Sequence, residues 1–154
     1  MSAPAKLNSP LTRTLIKAIS RAHTRLYRVT GGLLGSRWRI GSAFPRGVPI
    51  CLVTTRGRRS GQPRTAPLLY LLDEERVVLV ASQGGMASHP AWYHNILAHA
   101  EVEIRIGRTV RRLRARVADP GERAVLWPRL TALYPDFDTY QSWTDREIPV
   151  VVCA

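Results

Sequence analysis

Residues 101–117 read Glu-Val-Glu-Ile-Arg-Ile-Gly-Arg-Thr-Val-Arg-Arg-Leu-Arg-Ala-Arg-Val. Val102, Ile104 and Ile106 alternate with Glu101, Glu103 and Arg105; beyond Gly107, Leu113, Ala115 and Val117 alternate with Arg112, Arg114 and Arg116. A period of two on both sides of a glycine turn predicts an antiparallel hairpin with one face on a core and the other in water. The outward Glu and Arg are spaced to pair across the strands, each pair contributing roughly 0.2–1 kcal/mol. The five Arg between 108 and 116 therefore read as a solvated sheet face rather than a nucleic-acid stripe.

Upstream, three further apolar runs predict strands: Ile50 to Thr54, Thr65 to Leu72 with a turn at Asp73-Glu74-Glu75, and Arg76 to Ser82 before Gly84-Gly85. Their regular spacing predicts a β meander of the barrel or sandwich kind. A short helix follows from His89 to Ala98, opened by Pro90. Downstream of the hairpin, Asp119-Pro120-Gly121 opens a helix through Leu133, Tyr134-Pro135 breaks it, and Ile148 to Cys153 is a last strand that would close the sheet. Residues 134–143 read as a loop.

At the N-terminal end, residues 1–10 contain Ser2, Pro4, Ser9 and Pro10 and read as a disordered arm. Residues 11–46 form a basic amphipathic helix and a Gly/Pro-rich linker, and residues 47–154 the β domain. Between Leu11 and Thr30 the apolar residues Leu15, Ile19, Ala22, Leu26 and Val29 recur at helical steps beside Arg13, Lys17, Arg21, Arg25 and Arg28, and Gly31-Gly32 ends the pattern. Such a helix either lies on an anionic membrane or caps the barrel with its basic side in water. Both alternatives stay open at this level.

The chain has 154 residues with 45% apolar content, enough for one well-buried domain. No apolar run is long enough to span a bilayer, and no signal-peptide pattern opens the chain; a cytoplasmic location, with peripheral contact at the inner face of the plasma membrane, is the expectation. Residues 1–72 carry two Lys, eleven Arg and no acid, whereas residues 73–154 carry ten Arg against eleven acids. The positive field of the first half should attract an anionic partner: nucleic acid, an acidic membrane or a phosphorylated small molecule. Cys51 and Cys153 belong to no metal pattern and read as reduced, buried thiols. No hydrolase, zinc or P-loop motif is present, and no metal site is expected.

Four segments could carry chemistry. Thr54 to Arg64 joins two glycines, Ser60 and the arginines Arg56, Arg58, Arg59 and Arg64 between two strands. It could form a backbone nest with forked side-chain donors for an anion, or be an ordinary basic turn. Val80-Ala81-Ser82-Gln83-Gly84-Gly85 puts small residues at a strand end, where a flat ring can approach. His89 to Asn95 carries Trp92 and Tyr93, and residues 134–143 carry Tyr134, Phe137, Tyr140 and Trp143, which could wall an apolar pocket with polar tips.

GRRSGQPR at 57–64, VVLVASQGG at 77–85, HPAWYHN at 89–95 and LYPDFDTYQSWTDREIPVVV at 133–152, in this order and spacing, resemble the F420-dependent nitroreductase/quinone reductase family of actinobacteria. The resemblance runs from about Gly47 to the C-terminus. It implies a mainly β fold with flanking helices, a split β-barrel of the flavin-reductase-like, FMN-binding type with an N-terminal amphipathic helix. It also implies a reductase that takes hydride from coenzyme F420, a deazaflavin, and gives it to a quinone such as menaquinone or to a nitroaromatic. Carried over position by position, Arg58, Arg59, Ser60 and Arg64 would hold the phosphate and polyglutamate tail, with Thr65, Ala66 and Pro67 on the strand beneath. Val80, Ala81, Ser82 and Gln83 would lie beside the ring, with Ala91, Trp92, Tyr93 and Asn95 flanking it. Tyr134, Phe137, Tyr140 and Trp143 would form the acceptor pocket; of the catalytic candidates, Ser82 would hydrogen-bond a ring oxygen, and Tyr134 or Tyr140 would position the acceptor or relay its proton. The chain would be a monomer or a homodimer.

A non-catalytic F420 carrier on the same barrel, an FMN-binding reductase and a nucleic-acid-binding β domain are the competing functions; nothing resembles a base-reading motif, and no nucleic-acid partner is expected. One residue departs from the family pattern. Phe137 stands where nitroimidazole-activating members carry Tyr, which implies weak or absent activation of such drugs. Turnover of a bicyclic nitroimidazole by Phe137→Tyr should exceed that of the parent chain, and equal, robust rates would overturn the expectation.

Overall fold

The computed structural model describes residues 3–154. Its elements are helix α1 (Pro10–Thr30), the short strand β1 (Arg37–Trp38), β2 (Val48–Arg56), β3 (Pro63–Asp73), β4 (Arg76–Val80), α2 (Ala91–Ala98), β5 (Glu101–Ile106), β6 (Thr109–Val117), α3 (Pro120–Leu133), α4 (Asp136–Ser142) and β7 (Val150–Cys153). Two 3-10 turns lie at Gly41–Ala43 and Gln83–Gly85. The sheet runs β1-β2-β3-β4-β7-β6-β5, and β5 also pairs with β2. Six antiparallel strands, β2 to β7, thus close into a barrel, with β1 appended to β2.

Both faces of β4 and β7 are covered, which is why they read as continuous apolar runs rather than alternating ones. Val77, Leu79, Ala81, Val151 and Cys153 point inward with Cys51, Val53, Tyr70, Trp92 and Ile104. Val78, Val80, Val150 and Val152 point outward against Leu126, Leu130, Tyr134 and Phe137 of the α3–α4 layer. Cys51 and Cys153 are free and buried in the interior. Burial pushes both thiols up, Cys153 to about 12 and Cys51 higher still.

The predicted hairpin forms, but its pairing differs from expectation. Glu101 stands opposite Arg114 and Glu103 opposite Arg112, yet no ion pair joins them. Arg116 instead reaches Glu122 at 2.5 Å, and Arg76 bonds the same carboxylate at 3.1 Å. Arg76 and Arg129 both bond Asp73 and hold its carboxyl below the usual range. Val117, expected inside, is exposed.

Residues 134–143, read as a loop, contain α4. Pro135 and two acids in the first turn, Asp136 and Asp138, favour a helix start. Of residues 1–10, read as a disordered arm, residues 5–8 form turns and Pro10 opens α1. Leu7 N–H donates to the Pro4 carbonyl, Asn8 Oδ1 accepts from Ala87 N–H at 3.1 Å, and Ser9 caps α1 through Thr12 N–H. Residues 1–2 of that arm lie outside the described residues.

Helix α1 ends on Gly31 in the left-handed conformation, as the Gly pair predicts. It docks through a narrow face carrying Thr24 and Tyr27, not through its apolar stripe. Leu11, Leu15, Ile19 and Val29 are all more than half exposed. The Tyr27 phenol is fully buried; it donates to the Ile50 carbonyl at 3.2 Å and accepts from Gly107 N–H at 2.7 Å. Tyr27→Phe strands the half-buried Gly107 N–H and should lower unfolding free energy by about 1–3 kcal/mol, measured by urea unfolding; an unchanged midpoint would mean that the phenol does not anchor the helix.

Candidate functional site

The registers of the antiparallel pairs bring the end of β2, the start of β3, the end of β4 and the start of β5 to one end of the barrel. The β2–β3 turn, the 82–90 segment and α2 meet there. Asn95 on α2 is the tie. Its buried amide accepts from Arg58 N–H at 3.1 Å and donates to Thr55 Oγ1 at 3.0 Å.

The backbone nest expected in the β2–β3 turn is largely used up. Gly57 N–H donates to Gln62 O, Gly61 N–H to Gly57 O, Gln62 N–H to Ser60 Oγ and Arg58 N–H to Asn95. Anion recognition at this turn therefore falls to side chains. Arg56, Arg58, Arg59 and Arg64 are exposed, and none of them forms an ion pair among the described residues. Arg28 of α1 reaches over β3 to Thr65 Oγ1 at 2.8 Å. Uncompensated guanidinium groups with free forked donors suit phosphate and carboxylate.

After Ala81 the chain turns sharply. Gln83 takes a left-handed backbone (φ 46) rare for a residue with a side chain, followed by Gly84, a form of local strain that recurs at ligand sites. A Cβ on Gly84 would meet nothing within 4 Å, whereas one on Gly85 would fall 2.8 Å from the Tyr140 carbonyl. The turn is thus open on one side and pressed against α4 on the other. Ser82 Oγ makes no hydrogen bond within the described residues. Two residues that sequence reasoning missed support this turn: Arg146 bonds the carbonyls of Ala81, Ser82 and Met86, and His89 accepts from it.

The aromatic segment is layered rather than a single wall. Tyr134 (2% exposed) and Phe137 (3% exposed) are buried, with Phe137 packed against Trp127, Tyr134 and Tyr140. Tyr140 and Trp143 keep part of their surface free. The phenols of Tyr134 and Tyr140 share a hydrogen bond at 3.1 Å. Burial raises both above the ordinary tyrosine value, so both stay protonated at neutral pH and Tyr140 can offer an O–H. Phe137 therefore lies behind Tyr140 in the packing, and a hydroxyl added there enters the Trp127–Tyr134 contacts. Trp143 Nε1 is buried without a partner among the described residues.

The other expected residues divide in the same way. Val80, Ala81 and Trp92 are in the cores and contribute backbone and support, not contact surface. Thr65, Ala66, Pro67, Gln83 and Tyr93 are partly open, and Ala91 is exposed. Among the described residues no cluster of three metal-ligating side chains forms.

A family model described as F420H(2)-dependent quinone reductase matches residues 19–154. The chain belongs to that family. The candidate F420H(2)-dependent quinone reductase Rv3178 of Mycobacterium tuberculosis is 46% identical over 114 residues, 74% of this chain and 96% of that protein. The solved F420-H2 dependent reductase FDR-A superposes with a TM-score of 0.65 at 37% identity, covering 69% of this chain and 94% of its own. A structure described as a domain-swapped dimer gives a TM-score of 0.65 at 30% identity, covering 87% and 97%.

This F420H(2)-dependent quinone reductase family member is an oxidoreductase that uses coenzyme F420 on a six-stranded antiparallel barrel. Its residues fit the group: unpaired arginines suit an anionic tail, and the open, strained turn at Ser82–Gly84 suits a flat ring. Replacing the tie should loosen the basic turn. Asn95→Ala leaves Arg58 N–H and Thr55 Oγ1 without their partner, so a lower melting temperature and weaker F420 binding are expected together; a change in neither, by thermal scan and fluorescence titration, would contradict the assignment.

Proposed function

We propose that this chain passes hydride from reduced F420 to a membrane-borne quinone such as menaquinone, with nitroaromatics as further acceptors. The observation that carries the assignment is the set of exposed arginines Arg58, Arg59 and Arg64 without acidic partners, at the barrel end that also bears the Ser82–Gly84 turn. In this proposal the arginines and Ser60 hold the cofactor tail. Thr65, Ala66 and Pro67 form the floor, and Ser82 and Gln83 meet the ring, with Ala91 and Tyr93 at its side. The cofactor supplies the hydride; the protein supplies binding, orientation and electrostatics. Tyr140, backed by Tyr134, presents a protonated phenol to the acceptor oxygen, and Trp143 lines the approach.

No helix of the described residues is long and apolar enough to cross a membrane. The exposed stripe of Leu11, Leu15, Ile19 and Val29 runs beside Lys17, Arg21 and Arg25, which suits insertion into an anionic lipid surface, each basic residue near it adding about 1 kcal/mol. That places the acceptor's own solvent next to the enzyme.

Purified protein should bind F420 more tightly than FMN and oxidise the reduced cofactor when menaquinone is added. Arg58→Gln with Arg59→Gln should weaken F420 binding by about tenfold or more, since hydrogen bonds to charged groups are worth about 1.5–3 kcal/mol. Tyr140→Phe should lower turnover with little change in F420 affinity. Absence of F420 binding would overturn the proposal, and binding without turnover on any quinone would make the protein a carrier. Leu15→Glu with Ile19→Glu leaves the Tyr27 docking face intact and should abolish co-sedimentation with phosphatidylserine vesicles. Undiminished co-sedimentation, or a concentration-dependent dimer that the same pair of substitutions dissolves, would refute the membrane role.

A further inference from the structure

Arg146 lies between Asp145 and Glu147 in the sequence, a context that reads as a solvated turn. Its guanidinium pairs with neither. It points inward, where Nε donates to the Met86 carbonyl at 3.0 Å, Nη2 to the Ser82 carbonyl at 2.8 Å, and Nη1 to the Ala81 carbonyl at 3.3 Å and His89 Nδ1 at 3.0 Å. One planar fork thus gathers carbonyls from both sides of the left-handed pair Gln83–Gly84. A partly buried cation without a carboxylate is costly unless hydrogen bonds replace its water, and here three carbonyls and an imidazole do so. Among the described residues the turn's other hydrogen bonds are few: Ala81 N–H donates to the Pro149 carbonyl at its start, Gly85 and Met86 N–H close onto the Ser82 and Gln83 carbonyls, and Gln83 Nε2 reaches Met86 Sδ.

We propose that Arg146 is the positioning residue of the turn Ser82–Met86, shaping the surface offered to the deazaflavin ring, and that the neutral ring of His89 is its acceptor. The inference rests on the proposal above that Ser82 and Gln83 face the cofactor. For His89 Nδ1 to accept, the ring proton must sit on Nε2. The groups facing His89 are Arg146, Tyr93 with ring centroids at 4.7 Å and His94 at 5.9 Å, with Arg13 of α1 reaching the adjoining Ser88. Burial first, then the charges of Arg146 and His94, hold His89 below its ordinary value. A lowered folded value means that the stabilising contact is complete above the unfolded histidine value of about 6.5 and is lost as pH falls through it. Protonated Nδ1 would turn a donor toward a guanidinium.

The test uses the full chain and two readouts. In F420-free protein, amide hydrogen exchange should quicken about tenfold at Gly85 and Met86 in Arg146→Gln, with Val53 and Ile104 in the barrel unchanged, and by less in Arg146→Lys. F420 titrations should show affinity falling about tenfold in Arg146→Gln, the scale of one lost charged hydrogen bond. The parent chain's affinity should hold at a pH of about 6.5 and weaken only at lower pH, as His89 gains its proton at its lowered folded value, and His89→Gln, which keeps a pH-independent acceptor, should flatten that fall while binding normally at higher pH. Unchanged exchange at Gly85 and Met86, or exchange that quickens equally at Val53 and Ile104 in both arginine variants, would overturn the role of Arg146. If Arg146→Gln does not fold, Arg146→Lys and His89→Gln decide the question. Failure of the parent chain to bind F420 would instead refute the cofactor assignment, and the exchange result in ligand-free protein would still decide whether Arg146 sets the turn.

Discussion

The pairing of β2 with β5, Leu52 to Arg105, Val53 to Ile104 and Thr54 to Glu103, turns a sheet into a barrel, and the rest of the molecule follows from that closure. A closed sheet has no free edges. Its narrow interior is filled by Cys51, Tyr70, Trp92 and Ile96, leaving no room for a cofactor. Any ligand must therefore use the barrel's end and flank, where the strand termini deliver their loops. The same closure gives β4 and β7 two covered faces, so the α3–α4 layer has an apolar surface to dock on, and that layer in turn presses Tyr140 against Gly85.

Much of this architecture can be read from the amino-acid order, because period-two alternation and glycine turns are local signals. The hairpin of β5 and β6, the helix α1 with its Gly31 stop and the strand-end motif at Ser82–Gly85 all form where the pattern puts them. What escapes is tertiary. Helix α4 is one short segment behind a proline, too brief to show a period. Helix α1 carries an obvious apolar stripe, yet it docks through Tyr27, whose value comes from two hydrogen bonds to backbone groups, Ile50 O and Gly107 N–H, distant in the chain. Composition left the basic turn between an anion site and an ordinary basic turn, and which of its donors are free depends on Asn95, forty residues from its Thr55 partner. Arg146 gave no sign at all: flanked by two acids, it looks like a surface residue, and only the folded chain shows three carbonyls converging on it.

The site divides its labour between two kinds of polar group. At the β2–β3 turn the arginine charges are exposed and form no ion pair among the described residues, so their field reaches an anion at long range with a strength that depends on ionic strength. Around the Ser82–Met86 turn two polar groups are held within the fold itself, Arg146 by its carbonyls and Tyr134 by Tyr140, whereas Trp143 Nε1 and Ser82 Oγ are left without a partner among the described residues. Groups fixed in this way need not reorganise when charge shifts during reaction, which is how a protein of modest size can orient a cofactor that brings the chemistry with it.

The two interior cysteines have a practical corollary. Burial keeps their thiols almost wholly in the unreactive, protonated form, so this oxidoreductase carries its sulfur out of reach of ambient oxidants. Cys51 and Cys153 sit on different strands within one core, and neither can meet a bulky alkylating reagent until strands part. Their rate of covalent capture is therefore a clock that runs only while the barrel stands open, a native stopwatch for unfolding that needs no added label.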